Sequence, residues 1–390
     1  MNYPLATTTW DTSEYEAMQR VIASGNFTMG EEVKLFEESF ANSFASKYAV
    51  MSNSGSSANL LALAAIRYSS FMRTPEKDEV IVPAVSWSTT YYPITQMGFK
   101  LKFVDIDLNT LNASVESITD AIGPKTAGIV VVNLLGNPSE LEEIRSLADA
   151  HDLFMIEDNC ESLGAKYNGK LAGTFGDIGT FSSFFSHHIS TMEGGVSVTD
   201  SLELKQVMTS LRAHGWTREL AFENHVHNKT GDEFDDLFRF VLPGYNLRPL
   251  ELEGAIGREQ IKKVTGIIAG RRINAAKFQK LMAKFPEIKI QSEIGESSWF
   301  GFSLILQGGE IGRRSDLVSV LKSNSIAVRP IVGGNFTRNP VMKHLPHVEF
   351  NDLKNADRVH TDGLFIGNHH YPMEQEFELL DSALSKFLDR

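Results

Sequence analysis

Phe181-Ser182-Ser183-Phe184-Phe185-Ser186-His187-His188-Ile189-Ser190-Thr191-Met192-Glu193-Gly194-Gly195 is the most informative run in this chain of 390 residues. An aromatic, hydroxyl-rich segment leads into two adjacent histidines, and Glu-Gly-Gly follows before the strand-like Val196-Ser197-Val198. Histidine, with an ordinary pKa of about 6.5, suits base work near neutrality. A histidine in an apolar run is also commonly a hydrogen-bonded core residue, and histidine pairs also bind metal. Alone, the run leaves these readings open, and its surroundings decide between them.

N-terminal to it, short apolar runs at 48–51, 80–83, 102–106, 127–132 and 153–156 read as buried strands, with helical patterning between them, as over 140–150. Such alternation argues for an α/β protein with a parallel sheet covered by helices. The run at 153–156 delivers Glu157-Asp158-Asn159-Cys160-Glu161 to a strand's carboxyl end, where open α/β sheets place their ligands. An Asp at a strand end also serves as an ordinary cap. Asn53-Ser54-Gly55-Ser56-Ser57 precedes an apolar helical run, and free amides at such a helix start attract anions. Trp87, after the strand at 80–83, is either a ring platform or a core filler. Near the N-terminus, Asp11-Thr12-Ser13-Glu14-Tyr15-Glu16 suggests a helix start, with Ser13 and Glu16 three apart.

C-terminal to the run, Arg212-Ala213-His214-Gly215-Trp216-Thr217-Arg218 suits either an anionic, ring-containing ligand or an interface. The stretch Gly231-Asp232-Glu233 reads as a mobile surface loop. Pro243-Gly244-Tyr245-Asn246-Leu247-Arg248-Pro249 opens a helical run from Leu250, and beyond Arg271 the patterning fits a smaller α+β unit. Arg329-Pro330-Ile331 and Asn368-His369-His370 are polar groups that face either a substrate or a surface hinge.

On these residues the chain resembles the DegT/DnrJ/EryC1/StrS sugar aminotransferases, which use pyridoxal 5′-phosphate (PLP). In that family a serine, an aromatic pair and a lysine precede the Glu-Gly-Gly. Counting back from Glu193, the lysine position is His187. Lysine holds PLP as a Schiff base, and imidazole cannot make that bond. This substitution marks the family's sugar 3-dehydratases, which remove a hydroxyl instead of installing an amine. The resemblance runs over nearly the whole chain.

It implies the type I PLP-enzyme fold: a large domain (1–250) with a mostly parallel seven-stranded sheet, then a linking helix and a small C-terminal α+β domain (251–390). It places the cofactor phosphate on Gly55 and Ser56, the ring on Trp87 and the pyridine nitrogen on Asp158. Glu161 and Ser182 complete the cofactor pocket, and Asn246 reaches the phosphate of a neighbouring subunit, so a homodimer with shared sites is expected. His187 is then the catalytic base, and His214, Arg218 and Arg329 are substrate candidates. The implied reaction uses PLP and pyridoxamine 5′-phosphate (PMP), with L-glutamate as amino donor. It removes the C-3 hydroxyl of a nucleotide-linked 4-keto-6-deoxy sugar, GDP-linked on overall resemblance, and releases ammonia. A His-tolerant nucleotide-sugar aminotransferase and a non-catalytic PLP-binding relic are the alternatives; ammonia released per sugar consumed separates the three.

Composition agrees with this reading. A net charge of −12 argues against wide nucleic-acid contact. The single cysteine, Cys160, excludes an internal disulfide and a multi-cysteine iron–sulfur cluster, so no iron–sulfur reductase is expected. No metal is expected at the site. No run reaches the roughly 20 apolar residues of a membrane span, and no signal sequence leads the chain, so a cytoplasmic protein is expected.

Overall fold

The computed structural model describes residues 2–349 and 352–389. The N-terminal helices are α1 (Thr12–Ser24) and α2 (Glu31–Ser43). Asp11 rather than Ser13 caps α1: its carboxylate accepts from the Ser13 amide, and Glu14 reaches back to the Asp11 amide at 2.8 Å. The box therefore sits two residues earlier than the sequence suggests, because Asp11 is the last extended residue and Ser13 is already helical.

Seven of the strands that follow form one sheet. They are β1 (Tyr48–Ser52), β2 (Glu79–Pro83), β3 (Lys100–Val104), β4 (Thr126–Val132) and β5 (Phe154–Asp158). After a small hairpin, β6 (Lys166–Tyr167) and β7 (Lys170–Leu171), come β8 (Ile178–Ser182) and β9 (Gly195–Thr199). The order is β1-β9-β8-β5-β4-β2-β3, and β9 alone runs against the rest. Its strands are nearly wholly buried, as in a sheet covered on both faces. The covering helices include α3 (Gly55–Arg67), α4 (Ser88–Gln96), α5 (Val115–Ala121), α6 (Leu141–Ala150) and α7 (Leu202–Arg212). Beneath β8, Phe181 meets Phe40 edge-on at 5.3 Å, and Phe40 stacks on Phe44 at 4.5 Å. Truncating such a buried ring to Ala costs about 3–5 kcal/mol.

The acidic stretch at 231–233 leads into one helical turn, α8 (Glu233–Asp236), tied back by Asp236 accepting from the Thr230 and Gly231 amides. The helix α9 (Glu251–Met282) runs for about 48 Å at 1.5 Å per residue. Its first turn carries Glu251, whose carboxylate accepts from the amides of Gly30 and Glu32 at 2.7 and 2.6 Å and so caps α2.

The far end of α9 packs on a second, antiparallel sheet of order β10-β11-β13-β12. Its strands are β10 (Ile288–Lys289), β11 (Gly301–Leu306), β12 (Val328–Arg329) and β13 (Gly363–Gly367). Helices α10 (Arg314–Ser323), α11 (Lys354–Asp362) and α12 (Glu374–Phe387) complete this part. Its core centres on Phe278 stacked against Phe302 at 4.0 Å, and Tyr3 from the N-terminus joins it, donating to the Gly367 carbonyl at 2.7 Å. Among the described residues no helix is long and apolar enough to cross a membrane.

Candidate active site

The carboxyl ends of β5 and β8 and the N-termini of α3 and α4 converge on one cavity of about 640 Å³. Asp158, the last residue of β5, forms part of its wall and is nearly fully buried. One carboxylate oxygen accepts from Asn59 Nδ2 at 2.8 Å and Thr90 Oγ1 at 2.7 Å, and the other from the Cys160 amide at 3.1 Å. Asn59 is itself held by Thr180 Oγ1 at 2.5 Å, and Thr90 is bonded to Ser86 at 2.8 Å. A carboxylate offers about four lone-pair sites, so one acceptor site stays open on Oδ1.

At the start of α3, Ser54 caps the helix by accepting from the Ser57 amide. The amides of Gly55 and Ser56, in the first turn, have no acceptor among the described residues. Gly55 is required by close approach, because a Cβ there would lie 2.6 Å from Ser182 Cβ. Ser56 Oγ donates to Thr89 Oγ1 at 2.9 Å. Trp87 precedes α4 and lines the cavity while 59% exposed, which rules out the core-filler reading. Glu161 accepts from the Leu135 amide at 3.0 Å; burial first, then the nearby Asp158 charge, push its pKa up to about 7.

The histidine run is the loop joining β8 to β9. It is closed by Ser183 N donating to Gly194 O, Thr191 N donating to Ser183 O, and a 2.6 Å contact between the Ser183 and Thr191 hydroxyls. The two glycines have separate reasons. Gly194 has φ +150°, and a Cβ there would sit 2.3 Å from Thr191 Oγ1; a Cβ on Gly195 would sit 2.2 Å from the Ser54 carbonyl. This packing fixes the loop against the α3 turn and separates the two histidines. His187 lines the cavity with its ring 5.2 Å from that of Phe300, and its Nδ1 is buried without a well-formed hydrogen bond. His188 is fully buried and bonds the Ser298 carbonyl through Nε2 at 3.1 Å. Burial, reinforced by the Arg271 charge, lowers His187 to about 4, so this imidazole is neutral over a wider range than an exposed one.

Gly55, Ser56, Trp87, Asp158, Glu161, Ser182, His187 and Arg329 thus share one cavity. Asn246 does not: it is exposed, and its side chain accepts from Arg248 Nε at 3.0 Å. His214 and Arg218 also lie outside it, grouped on Trp216, with the Arg218 guanidinium 4.2 Å from the ring centroid. His369 bonds Thr7 and the Pro4 carbonyl, and Asn368 bonds the Trp299 carbonyl, so these two are structural ties. Among the described residues no group of three or more His, Cys, Asp or Glu could hold a metal ion. Sequence reasoning missed Asn59 and Thr90 as the anchors of Asp158, and Phe300 as the wall behind His187.

The sequence profile of the DegT/DnrJ/EryC1/StrS aminotransferase family matches residues 9–378. The chain is 51% identical to the GDP-4-keto-6-deoxy-D-mannose 3-dehydratase of Escherichia coli O55:H7, over 98% of this chain and 100% of that one. Two crystal structures of GDP-4-keto-6-deoxymannose-3-dehydratase superpose with TM-scores of 0.95 at 51% identity, each covering 98% of this chain and 100% of the other. One is a histidine-to-asparagine mutant with bound GDP-perosamine, and the other holds a trapped PLP-glutamate geminal diamine. With the profile covering nearly the whole length and the fold shared throughout, the chain belongs to the DegT/DnrJ/EryC1/StrS aminotransferase family.

Proposed function

We propose that this protein is a PLP/PMP-dependent C-3 dehydratase of a nucleotide-linked 4-keto-6-deoxy sugar, GDP-4-keto-6-deoxy-D-mannose, with L-glutamate as amino donor. One observation carries the reading. The cavity keeps a full set of groups for PLP, yet no lysine is among the residues lining it, and His187 is there instead.

The residues present fit the cofactor. The unbonded amides of Gly55 and Ser56 at the α3 N-terminus suit its phosphate, with the Ser56 and Ser182 hydroxyls beside them. The open acceptor site on Asp158 suits a protonated pyridine nitrogen, and Trp87 offers a ring face. When bound, PLP and its amine form supply an electron sink and carry the amino group. Asp158, held by Asn59 and Thr90, would keep that ring nitrogen protonated. His187, neutral at physiological pH, is free to accept a proton at an imidazole nitrogen. With a conjugate-acid pKa of about 4, it then gives the proton up readily, for example to the departing C-3 hydroxyl. Glu161, poised near neutrality at about 7, is able to act as donor or acceptor. Arg329 contributes a cation toward the anionic substrate.

GDP and glutamate rest on the relatives, one holding GDP-perosamine and another a PLP-glutamate adduct. A division near residue 250 is supported by the two sheets, whose strands lie on either side of it in the chain, although Tyr3 packs in the second core. A homodimer is supported by Asn246 standing outside its own cavity, and by exposed Phe184, Phe185, Phe234 and Phe238, which a second subunit would cover. His214 and Arg218 reach substrate only across that interface. A cytoplasmic location agrees with the lone, unbridged Cys160. The test is product mass spectrometry and ammonia release with PLP, glutamate and a panel of 4-keto nucleotide sugars. One ammonia per sugar and a product lighter by one oxygen are expected. Nitrogen retained on the sugar would replace the reading with an aminotransferase.

A further inference from the structure

Among the described residues two arginines are buried, and they are settled differently. Arg212 lies against Glu37 at 2.5 Å and Glu219 at 3.3 Å. Arg271, in α9, is only 5% exposed and has no carboxylate within ion-pair distance among the described residues. Its Nη1 donates to the carbonyls of Asn368 at 2.8 Å and Phe300 at 3.0 Å and approaches that of Trp299 at 3.5 Å; its Nε is buried without a partner. An unpaired buried charge is among the costliest arrangements a fold retains. The segment it grips is strained as well: Trp299 has φ +49°, and Asn368 Nδ2 holds its carbonyl at 2.8 Å. The next residue, Phe300, lays its ring 5.2 Å from that of His187 and 5.8 Å from that of His188.

We propose that Arg271 is a positioning residue of His187: it fixes the Phe300 wall against which the imidazole lies, with its own unpaired charge buried at the backbone of that wall. This rests on His187 being the base of the proposed reaction. Other charged or titratable groups face the same space. Asp158 ends β5, Cys160 and Glu161 come from the turn after it, Glu193 from the loop of His187 itself, and Arg329 from β12. His188 is adjacent, and His369 and His370 follow β13 near Arg271. The carboxylates favour a protonated imidazole, and a cation opposes them. Burial supplies most of the opposition and Arg271 adds to it.

The test follows the ring signals of His187 by NMR of histidine-labelled protein, assigned by their loss in His187→Asn, with and without PLP. In Arg271→Gln, which keeps a donor for the carbonyls but removes the charge, the His187 titration should move up by roughly 0.5–1 pH unit. The acid limb of kcat/KM should follow it. In Arg271→Lys, which keeps the charge and loses the fork, the titration should stay in place while Tm falls. A folded Arg271→Gln protein with an unmoved His187 titration overturns the proposal. If that variant does not fold, Phe300→Leu decides the positioning claim: kcat should drop about tenfold with KM unchanged, and an unchanged kcat overturns it. A fully active His187→Asn would instead remove the underlying reading of the base.

Discussion

The two sides of the cavity differ in how their polar atoms are satisfied. Around Asp158 all but one acceptor site is filled: Asn59, Thr90, Cys160, Thr180 and Ser86 form one connected network within the chain. Around the histidines the reverse holds. Nδ1 of His187, His188 and His370, Oγ of Ser298 and Nε of Arg271 are all buried without partners. The first side is built before any ligand arrives, which is what precise placement of a ring needs. The second carries uncompensated polarity, an arrangement that costs stability and is found where pKa values are tuned for chemistry. Holding and reacting are thus assigned to separate parts of one site.

The sharpest way to break this comparison is to change the reacting side alone. His187→Asn should slow turnover by about 10²–10⁴-fold while PLP or PMP retention stays near that of the parent. His188→Asn, which removes a buried bond to Ser298 rather than a cavity group, should slow it far less. Equal losses in both variants would erase the distinction between them.

The holding side has its own signature. Thr90→Val removes one donor to Asp158 and should weaken cofactor retention by about ten- to hundredfold, or 1.5–3 kcal/mol for a bond to a charged group. Equilibrium dialysis with PMP measures it, and the acid limb of the pH–rate profile should not move. Asn246→Ala should have a smaller effect, about tenfold in retention with the proposed dimer intact, because the side chain is exposed and, on the proposed reading, would serve a neighbouring subunit's site. Retention unchanged in this variant would remove Asn246 from the site.

The smallest effect is on stability against pH. His188 is held well below its ordinary value, by burial first and then by Arg271. Its contribution is present above the unfolded value of about 6.5 and is lost as pH falls, because the unfolded chain then binds the proton the native state refuses. His188→Asn should therefore flatten the fall of the urea midpoint between pH 7 and pH 5. A steeper fall would contradict the sign. Glu161 works in the opposite direction, its raised pKa favouring the native state below about 7.

The same contrast explains how much was legible in the sequence. Asp158 stood out because an apolar strand delivers it to a carboxyl end, with its role supplied by the family resemblance, and His187 was reached by counting back from Glu193 on the family's motif. The sheet and its order of strands and helices came from periodicity of the same local kind. What locks Asp158 in place did not, since Asn59 and Thr90 are brought to it only when α3 and α4 pack over β5. Arg271 was invisible for a stronger reason. Within a helix an arginine reads as surface, and only the small sheet folding against α9 buries it, with carbonyls but no carboxylate beside it. The Ser13 cap was misread because Asp11 offers the same local chemistry two residues earlier.

The central claim, that residue 187 stands at the point where a lysine would capture the cofactor, is tested most directly by His187→Lys. The variant should hold PLP through dialysis, and borohydride should fix the cofactor covalently at residue 187, read by peptide mass spectrometry, with dehydration lost because the amine is engaged. The parent protein should release its PLP and take no label there. Labelling of His188→Lys but not of His187→Lys, or borohydride labelling of the parent on another lysine, would contradict the account.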